Sequence, residues 1–384
     1  MYLLLLAIIY LAFISLGLPD SLLGAAWPAI HSGFDIPMSY MGIISMIISC
    51  GTIISSLLTA RFTKKLGTRG VTAASILLTA ISLFGFSVSN KFYMLCIFAI
   101  PYGLGAGAID ASLNNYVAKH YNSRHMSWLH CFWGVGTIIS PYIMSLALTH
   151  SSWNDGYRAV SFIQIGIFAA ILMSFPLWKK NSEDLVDDEK KGAVGIGNTL
   201  KIRGVPAILL GFFAYCAAEA TAMLWASSYF ESVYHSSKEE AATLGSLFFI
   251  GITIGRFISG FVSERLGSIK MIYLGAAIAF IGILFIIIPI KQVAILGFTV
   301  LGLGCAPIYP SIIHSTPTSF GKENSASIIG IQMASAYMGS TFIPPIFGII
   351  SSVLSLKIMP LYLAFFFVLM IIMIRRSQKM CKKQ

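Results

Sequence analysis

The sequence has few charged residues. Asp, Glu, Lys and Arg make up 11% of its 384 residues, whereas an ordinary soluble domain carries roughly 25%. Hydrophobic residues make up 57%, and the mean hydropathy is +0.81. Because the core of a soluble protein cannot bury so much apolar surface, the composition predicts a protein whose solvent is the lipid bilayer.

Motifs of catalysis and metal binding are also missing. The six cysteines have no C-x-x-C spacing, and five lie in apolar segments, so we assign no disulfide and no metal. The sequence contains no G-x-S-x-G, H-E-x-x-H or G-x-x-x-x-G-K-[ST] motif. These absences argue against an enzyme and against an ATP-driven pump. We expect no cofactor and no nucleic-acid partner, and we interpret the net charge of +11 as a signal of membrane orientation.

Apolar segments recur along the whole chain. A spanning helix needs about 20 predominantly apolar residues. Unpaired backbone is not tolerated in lipid and no alternating strand pattern appears, so we expect helices. The first segment lacks a basic region before its apolar run, and we expect it to be a span, not a cleaved signal. The twelve predicted spans cover approximately residues 3–30, 38–60, 70–89, 92–118, 128–149, 157–177, 205–233, 241–263, 270–290, 293–318, 325–354 and 359–374.

Lys and Arg are distributed unevenly between the loops. With the N-terminus inside, 20 of the 26 lie in the inner loops and the tail, and five lie in the outer loops. This asymmetry predicts a multi-pass protein of the cell membrane, the inner membrane in a bacterium, with both termini in the cytoplasm. The polar stretch 178–203 is a predicted flexible cytoplasmic linker. It separates an N-terminal bundle at 1–177 from a C-terminal bundle at 204–384, which ends in a short basic tail.

The sequence contains an internal repeat at half its length. Residues 51–68, GTIISSLLTARFTKKLGT, return at 251–268 as GITIGRFISGFVSERLGS. GLGAGAIDAS at 103–112 matches GLGCAPIYPS at 302–311, and GVGTIISPYI at 134–143 resembles MGSTFIPPIF at 338–347. The order is preserved and each repeat holds six spans. The two halves are therefore predicted to share one topology, related by an axis along the membrane normal.

These features resemble the major facilitator superfamily: six plus six spans, a central cytoplasmic loop, and a charged element after spans 2 and 8. In that family the element usually reads G-x-x-x-D-R-x-G-R-R. The second copy, Gly260 to Gly267, carries Glu264 and Arg265 and fits, whereas the first copy lacks the acidic residue. The resemblance implies an all-α membrane protein of twelve transmembrane helices in two six-helix pseudo-symmetric bundles. It also implies a secondary transporter with a small-molecule substrate, which we expect to be a monomer.

Three acids lie well inside the predicted spans: Asp20, Asp110 and Glu219. A charge at the middle of a bilayer costs roughly 2.5–3.5 kcal/mol on insertion scales, so each is a candidate functional residue. Asp20 follows Gly17 and Pro19, which weaken span 1 beside a carboxylate. We predict that these three residues couple transport to a proton. The alternatives are a helix kink at Asp20 and structural hydrogen bonds at the other two.

Amides, aromatic rings and a histidine accompany the acids. Asn114 is four residues after Asp110 and shares its helix face, and Asn115 follows it. His130 opens span 5, where it suits proton transfer, hydrogen bonding to a hydroxyl, or simple packing. The predicted substrate-binding residues are Asn114, Asn115, His130, Trp133, Trp225 and Gln332.

Four charges near the predicted inner ends of the spans are candidates for gating. Arg61, Glu264 and Arg265 belong to the repeated element. Arg256 is two turns before Glu264 in span 8, where a long side chain can reach water or pair with an acid. We predict a gating role for all four.

Acids, amides and tryptophans without a central cluster of cations suit a neutral polyhydroxyl substrate such as a sugar. The pattern also resembles the fucose permease branch, the fucose–galactose–hexose proton symporters. There, acids in spans 1 and 4 serve proton coupling and sugar binding, which implies those roles for Asp20 and Asp110. Sodium coupling is an open alternative, because oxygen ligands suit it. The other alternative is a proton-coupled drug or metabolite efflux antiporter, which the segment from Gly134 to Pro141 favours.

Overall fold

The computed structural model describes residues 2–36, 40–178, 196–236 and 238–381, and within these ranges the chain is helical and contains no strand. The first half forms α1 (Tyr2–Asp20), α2 (Leu22–Gly33), α3 (Met41–Ser87), α4 (Phe92–His120), α5 (Ser123–His150) and α6 (Trp153–Met173). The rest forms α7 (Ile196–Lys201), α8 (Val205–Tyr234), α9 (Lys238–Leu266), α10 (Ser268–Ile287), α11 (Lys291–Cys305), α12 (Ile308–His314), α13 (Thr316–Phe320), α14 (Lys322–Val353) and α15 (Met359–Cys381).

Eleven described segments are long and apolar enough to cross a membrane. The number is one below the predicted twelve because α3, with 47 residues, contains spans 2 and 3. A straight helix of that length would measure about 70 Å, more than twice the roughly 30 Å hydrocarbon core. Gly67 interrupts it with a φ of 68° and a ψ of 165°. The prediction of an all-α membrane protein with two repeated halves is confirmed.

The two copies of the repeat end in the same backbone conformation. Gly267, the counterpart of Gly67, has a φ of 76° and a ψ of 156° and separates α9 from α10. Residues with a side chain rarely adopt a positive φ of this kind, whereas glycine does so at no steric cost. The repeated glycine is therefore the residue that lets the chain leave one span and enter the next.

Contacts divide the chain into two units. The first unit comprises Met1–Tyr116 and Leu129–Val194, and the second comprises Val117–Trp128 and Gly195–Gln384. Segment 117–128 comprises the end of α4, the turn after it and the start of α5. It groups with the second unit, a feature that the sequence did not indicate. Residues 179–195 of the predicted linker lie outside the described residues, and α7 falls in the remainder of it. The boundaries 1–177 and 204–384 stay a prediction.

Equivalent glycines bring equivalent helices together in each unit. In the first unit, a Cβ on Gly103 of α4 would overlap a backbone carbonyl of α3, and one on Gly51 of α3 would press on the backbone around Gly103. In the second unit, Gly302 of α11 and Gly251 of α9 face each other's helix in the same way. Small residues permit such close approach of helices in a membrane, which gives the sequence repeat a physical basis.

Pro19, near the end of α1, leaves a backbone carbonyl without its helical hydrogen bond, and another helix supplies the donor. Pro19 has no N–H, so the carbonyl of Ser15, four residues earlier, loses its helical partner. Gln164 of α6 donates its Nε2 to Ser15 O at 2.6 Å and accepts a hydrogen bond from the Ser15 hydroxyl. Gln164 and Ser15 are both buried. The amide thereby fixes α6 against the weakened part of α1.

A second proline frees a backbone carbonyl in α5, and a residue just after the end of α1 supplies the donor. Pro141 in α5 removes the partner of the Thr137 carbonyl. Ser21, which lies in the turn between α1 and α2, donates its hydroxyl to Thr137 O at 2.7 Å and lies 2.8 Å from the hydroxyl of Ser140. The break between α1 and α2 is therefore held against α5, and this contact positions the residue that precedes Ser21.

We expect Gly103→Ala to destabilise the protein, because the added methyl group meets the backbone of α3. Overpacking of this kind typically costs about 1–3 kcal/mol. The matched control is Gly166→Ala in α6, where a Cβ has nothing within 4 Å. The midpoint of thermal unfolding in detergent should fall for Gly103→Ala and stay level or rise for Gly166→Ala. Equal midpoints for the two variants would contradict the close approach.

Candidate functional site

A carboxylate lies at the break between α1 and α2. Asp20 is the last residue of α1, and its side chain is exposed. It accepts hydrogen bonds from Tyr102 Oη of α4 at 2.9 Å and from Trp133 Nε1 of α5 at 2.8 Å. Three helices of the first unit therefore meet at one acid. Because a carboxylate has more lone pairs than these two bonds use, Asp20 retains capacity for a proton or a ligand hydroxyl.

A second acid of the first unit belongs to a buried polar chain. Asn114 Nδ2 donates to Asp110 Oδ1 at 2.7 Å and to the Asp110 carbonyl at 2.9 Å. His130 Nε2 lies 3.2 Å from Asn114 Oδ1, and since an amide oxygen only accepts, the imidazole is the donor. All three side chains are buried, as is the neighbouring Asn115. The structure thus joins three of the predicted residues and leaves Asn115 beside them.

The second unit buries an ion pair. Glu219 of α8 and Arg256 of α9 are 9% and 8% exposed, and Glu219 Oε1 lies 3.7 Å from an Arg256 Nη atom. Tyr215, one turn before Glu219, donates to the carbonyl of Cys305 at 2.8 Å. The sequence places Arg256 two turns from Glu264, but its partner is Glu219. The pairing offsets part of the cost of keeping two charges in the membrane.

Trp225 and Gln332 have separate packing roles in the second unit. Trp225 Nε1 donates to the carbonyl of Pro344 at 2.9 Å, and its ring packs edge-on against Phe347. Gln332 is fully buried, and its Oε1 accepts a hydrogen bond from the Thr316 hydroxyl at 2.9 Å. Gln332 Nε2 is buried and has no hydrogen-bond partner in the described part of the chain. The predicted substrate-binding role of both residues stays a prediction.

Segment 117–128 is attached to α9 by a charged and aromatic cluster. Arg124 pairs with Glu264 at 2.6 Å. The Arg124 guanidinium lies over the rings of Trp128 and Phe261, at 5.6 and 5.9 Å from their centroids. Asn122 Nδ2 also approaches Glu264, at 3.5 Å. Stacking on rings and a short ion pair together hold the guanidinium in one place.

Two residues that contact the predicted site residues, Tyr102 and Arg124, could not be identified from the sequence. Tyr102 carries no charge and lies in an apolar span, so nothing in the sequence connects it to the first span. Arg124 counts there only as an orientation charge, and its partner Glu264 is 140 residues away. Arg61 and Arg265, both predicted gating residues, are exposed, and their role stays a prediction.

Asp20 and Asp110 are surrounded by nitrogen and hydroxyl hydrogen-bond donors. Asp20 accepts from Tyr102 and Trp133, and Asp110 accepts from Asn114. Within the described ranges, no group of three or more His, Cys, Asp or Glu residues is placed to hold a metal ion. The expectation of no cofactor stays a prediction.

Comparison with known proteins decides the family. The model described as Major Facilitator Superfamily matches residues 9–235 and, again, residues 207–379. The chain belongs to the Major Facilitator Superfamily. The model thus matches twice, with an overlap at residues 207–235, and the family consists of transporters, not enzymes. This superfamily member is accordingly a multi-pass membrane protein.

Two relatives are similar to this chain over most of its length. Bypass of stop codon protein 6 of Saccharomyces cerevisiae is 24% identical over 388 residues, which cover 91% of this chain and 77% of that protein. The glucose/mannose transporter GlcP of Bacillus subtilis is 24% identical over 353 residues, covering 88% and 86%.

Among solved structures, FucP in its outward conformation matches with a TM-score of 0.81 and 17% identity over 98% of this chain and 99% of that one. A second structure describes FucP as the fucose:proton symporter of Escherichia coli. At this level of identity, the likeness to FucP shows a shared fold. The predicted resemblance to the superfamily is confirmed.

We expect single substitutions in the buried pair to destabilise the protein more than the double substitution does. Glu219→Gln or Arg256→Gln removes one member of a buried ion pair, which costs about 3–5 kcal/mol. The double variant removes both charges and should recover much of that loss. Thermal unfolding in detergent measures the four midpoints.

The matched control is the exposed pair of Asp155 and Arg158, 2.9 Å apart with side chains 41% and 44% exposed. Neutralising Arg158 there should cost at most about 1 kcal/mol. A double variant of Glu219 and Arg256 that is no more stable than the worse single variant would show that the two charges do not compensate each other.

Proposed function

We propose that this superfamily member carries a sugar across the membrane by alternating access, in symport with a proton. The observation that carries the proposal is Asp20, an exposed carboxylate at a broken helix, with an indole and a phenol as its hydrogen-bond donors. A carboxylate with an aromatic ring beside it is a pattern suited to carbohydrate.

The sugar part of the proposal rests on the chemistry of this group. The C–H faces of a sugar pack on aromatic rings, while its hydroxyls bond to carboxylates and amides. Trp133 is half-buried, so part of its ring remains accessible beside the exposed Asp20. The names of GlcP, a glucose/mannose transporter, and FucP, a fucose:proton symporter, support the same substrate class.

The proton part of the proposal rests on Asp20 and Asp110. A proton on either acid removes a negative charge from the membrane region and leaves no cation behind. Glu219 differs, because a proton there would remove the negative charge that lies 3.7 Å from the buried Arg256 guanidinium. We therefore infer that Asp20 and Asp110 carry the coupling proton. The role that we infer for Glu219 is to balance the charge of Arg256.

The gating part of the proposal concerns segment 117–128. The predicted orientation places this segment on the cytoplasmic side. The pair of Arg124 and Glu264, reinforced by the rings of Trp128 and Phe261, attaches it to α9. We infer that release of this pair accompanies opening toward the cytoplasm, which gives Glu264 the predicted gating role.

We expect Asp20→Asn and Asp110→Asn to abolish sugar accumulation driven by an imposed pH gradient in proteoliposomes. An amide cannot take up a proton, so the carrier loses its coupling but can still exchange sugar for sugar. Exchange of labelled for unlabelled sugar at equal pH should therefore persist in at least one variant. Asp155→Asn, a change in an exposed ion pair, is the control and should accumulate sugar like the parent protein.

Separate conditions distinguish the alternatives. A sodium gradient at equal pH should drive no accumulation, and a cationic drug should produce no proton movement. Full gradient-driven accumulation in both Asp20→Asn and Asp110→Asn would refute the proton assignment. Drug-dependent proton movement without sugar uptake would replace the symporter with the antiporter.

A further inference from the structure

The second unit contains a narrow, partly open crevice that the proposed transport cycle does not use. It lies where α8 begins and α15 ends, with α10 and α13 completing its walls. Four isoleucines form an apolar side, and Ser319, Ser377 and Gln378 contribute a polar side. The predicted orientation places the crevice at the cytoplasmic surface of the membrane.

One group in the crevice requires an acceptor. Gln378 Oε1 accepts a hydrogen bond from Tyr273 Oη at 3.1 Å. Gln378 Nε2 is buried and has no hydrogen-bond partner in the part of the chain that the structure describes. Leaving a buried amide N–H without an acceptor is unfavourable. A ligand oxygen in the crevice would satisfy it.

Cations predominate on the chain segments around the crevice, although one acid, Glu323, follows α13. The Ser377 hydroxyl donates to the carbonyl of Gly204 at 2.9 Å, and the Arg375 guanidinium lies 5.6 Å from the centroid of the Tyr273 ring. These contacts join three chain segments, residues 196–212, α10 and α15, which contain no Asp or Glu. Their cations, all exposed, are Lys201, Arg203, Lys270, Arg375, Arg376 and Lys379.

The same helices present apolar side chains one turn from these cations. Leu274 of α10 is four residues after Lys270, and Ile372 of α15 is four residues before Arg376. Leu274 is 40% exposed and Ile372 is 51% exposed. Cations at the end of a span, followed by exposed apolar side chains deeper in it, match the order of phosphate and acyl chain in a phospholipid.

We propose that the crevice binds the phosphate group of an anionic phospholipid. Gln378 Nε2 donates to a phosphate oxygen, Lys270 and Arg375 neutralise its charge, and the acyl chains lie along the exposed apolar side chains of α10 and α15. Such a site would tie the start of α8 to the end of α15 through the lipid. The proposal is independent of the transported substrate.

The experiment compares lipids on the purified full-length protein in detergent. Phosphatidylglycerol and phosphatidylcholine with identical acyl chains are added separately, and the thermal unfolding midpoint is recorded. Phosphatidylglycerol should raise the midpoint by about 3 °C or more above phosphatidylcholine, because a ligand of the folded form stabilises it. Native mass spectrometry should show retained phosphatidylglycerol. Glycerol phosphate, which has the same phosphate chemistry but no acyl chains, should have no effect.

Two variants test the location. Gln378→Glu keeps an oxygen for Tyr273 but repels phosphate, and Lys270→Gln with Arg375→Gln removes two exposed cations. Both should lose the phosphatidylglycerol increment while their midpoints without lipid stay near that of the parent protein. The matched control, Lys64→Gln with Lys65→Gln, removes two exposed cations from the first unit and should keep the increment.

Three results would overturn the proposal. An equal loss in the Lys64 and Lys65 control would show a general charge effect. An increment that survives Gln378→Glu and the double variant would place the lipid elsewhere. Stabilisation by glycerol phosphate equal to that by phosphatidylglycerol would identify a soluble anion as the occupant.

Discussion

A backbone carbonyl that loses its helical partner in hydrocarbon has no water to bond to, so another part of the protein must satisfy it. Pro19 frees the carbonyl of Ser15, and the amide of Gln164 takes it. The other side of the α1–α2 break is held by the hydroxyl of Ser21 on a carbonyl of α5. The carboxylate of Asp20 lies between these two anchors. The position of Asp20 is therefore set by the hydrogen bonds that satisfy the backbone carbonyls freed in α1 and α5.

Most of the fold is predictable from the sequence, because its physical signals are local or repeated. Twenty-residue apolar runs define spans by length alone. The repeated glycines are a signal of the same kind, because each excludes a side chain for a structural reason. Gly67 and Gly267 have a positive φ, and Gly51 and Gly251 lie against the backbone of another helix. The assignment of segment 117–128 to the second unit could not be predicted, because its partners, such as Glu264 for Arg124 and Phe261 for Trp128, lie far along the chain.

The candidate site is predictable only where its contacts follow helical spacing. Asp110 and Asn114 are one turn apart, and their hydrogen bond follows from that distance. Asp20 and Trp133 are 113 residues apart, so no pattern links them before the helices are packed. Arg256 illustrates the limit, since its sequence neighbourhood favours Glu264 whereas packing of α8 on α9 gives it Glu219.

The amide of Asn114 has a consequence for the histidine. Its Nδ2 donates to Asp110, so its Oδ1 is the end that faces the ring of His130. Because an amide oxygen only accepts, that contact requires a hydrogen on Nε2 of the imidazole. The carboxylate therefore determines, through the orientation of one amide, which nitrogen of a ring on the next helix carries the hydrogen.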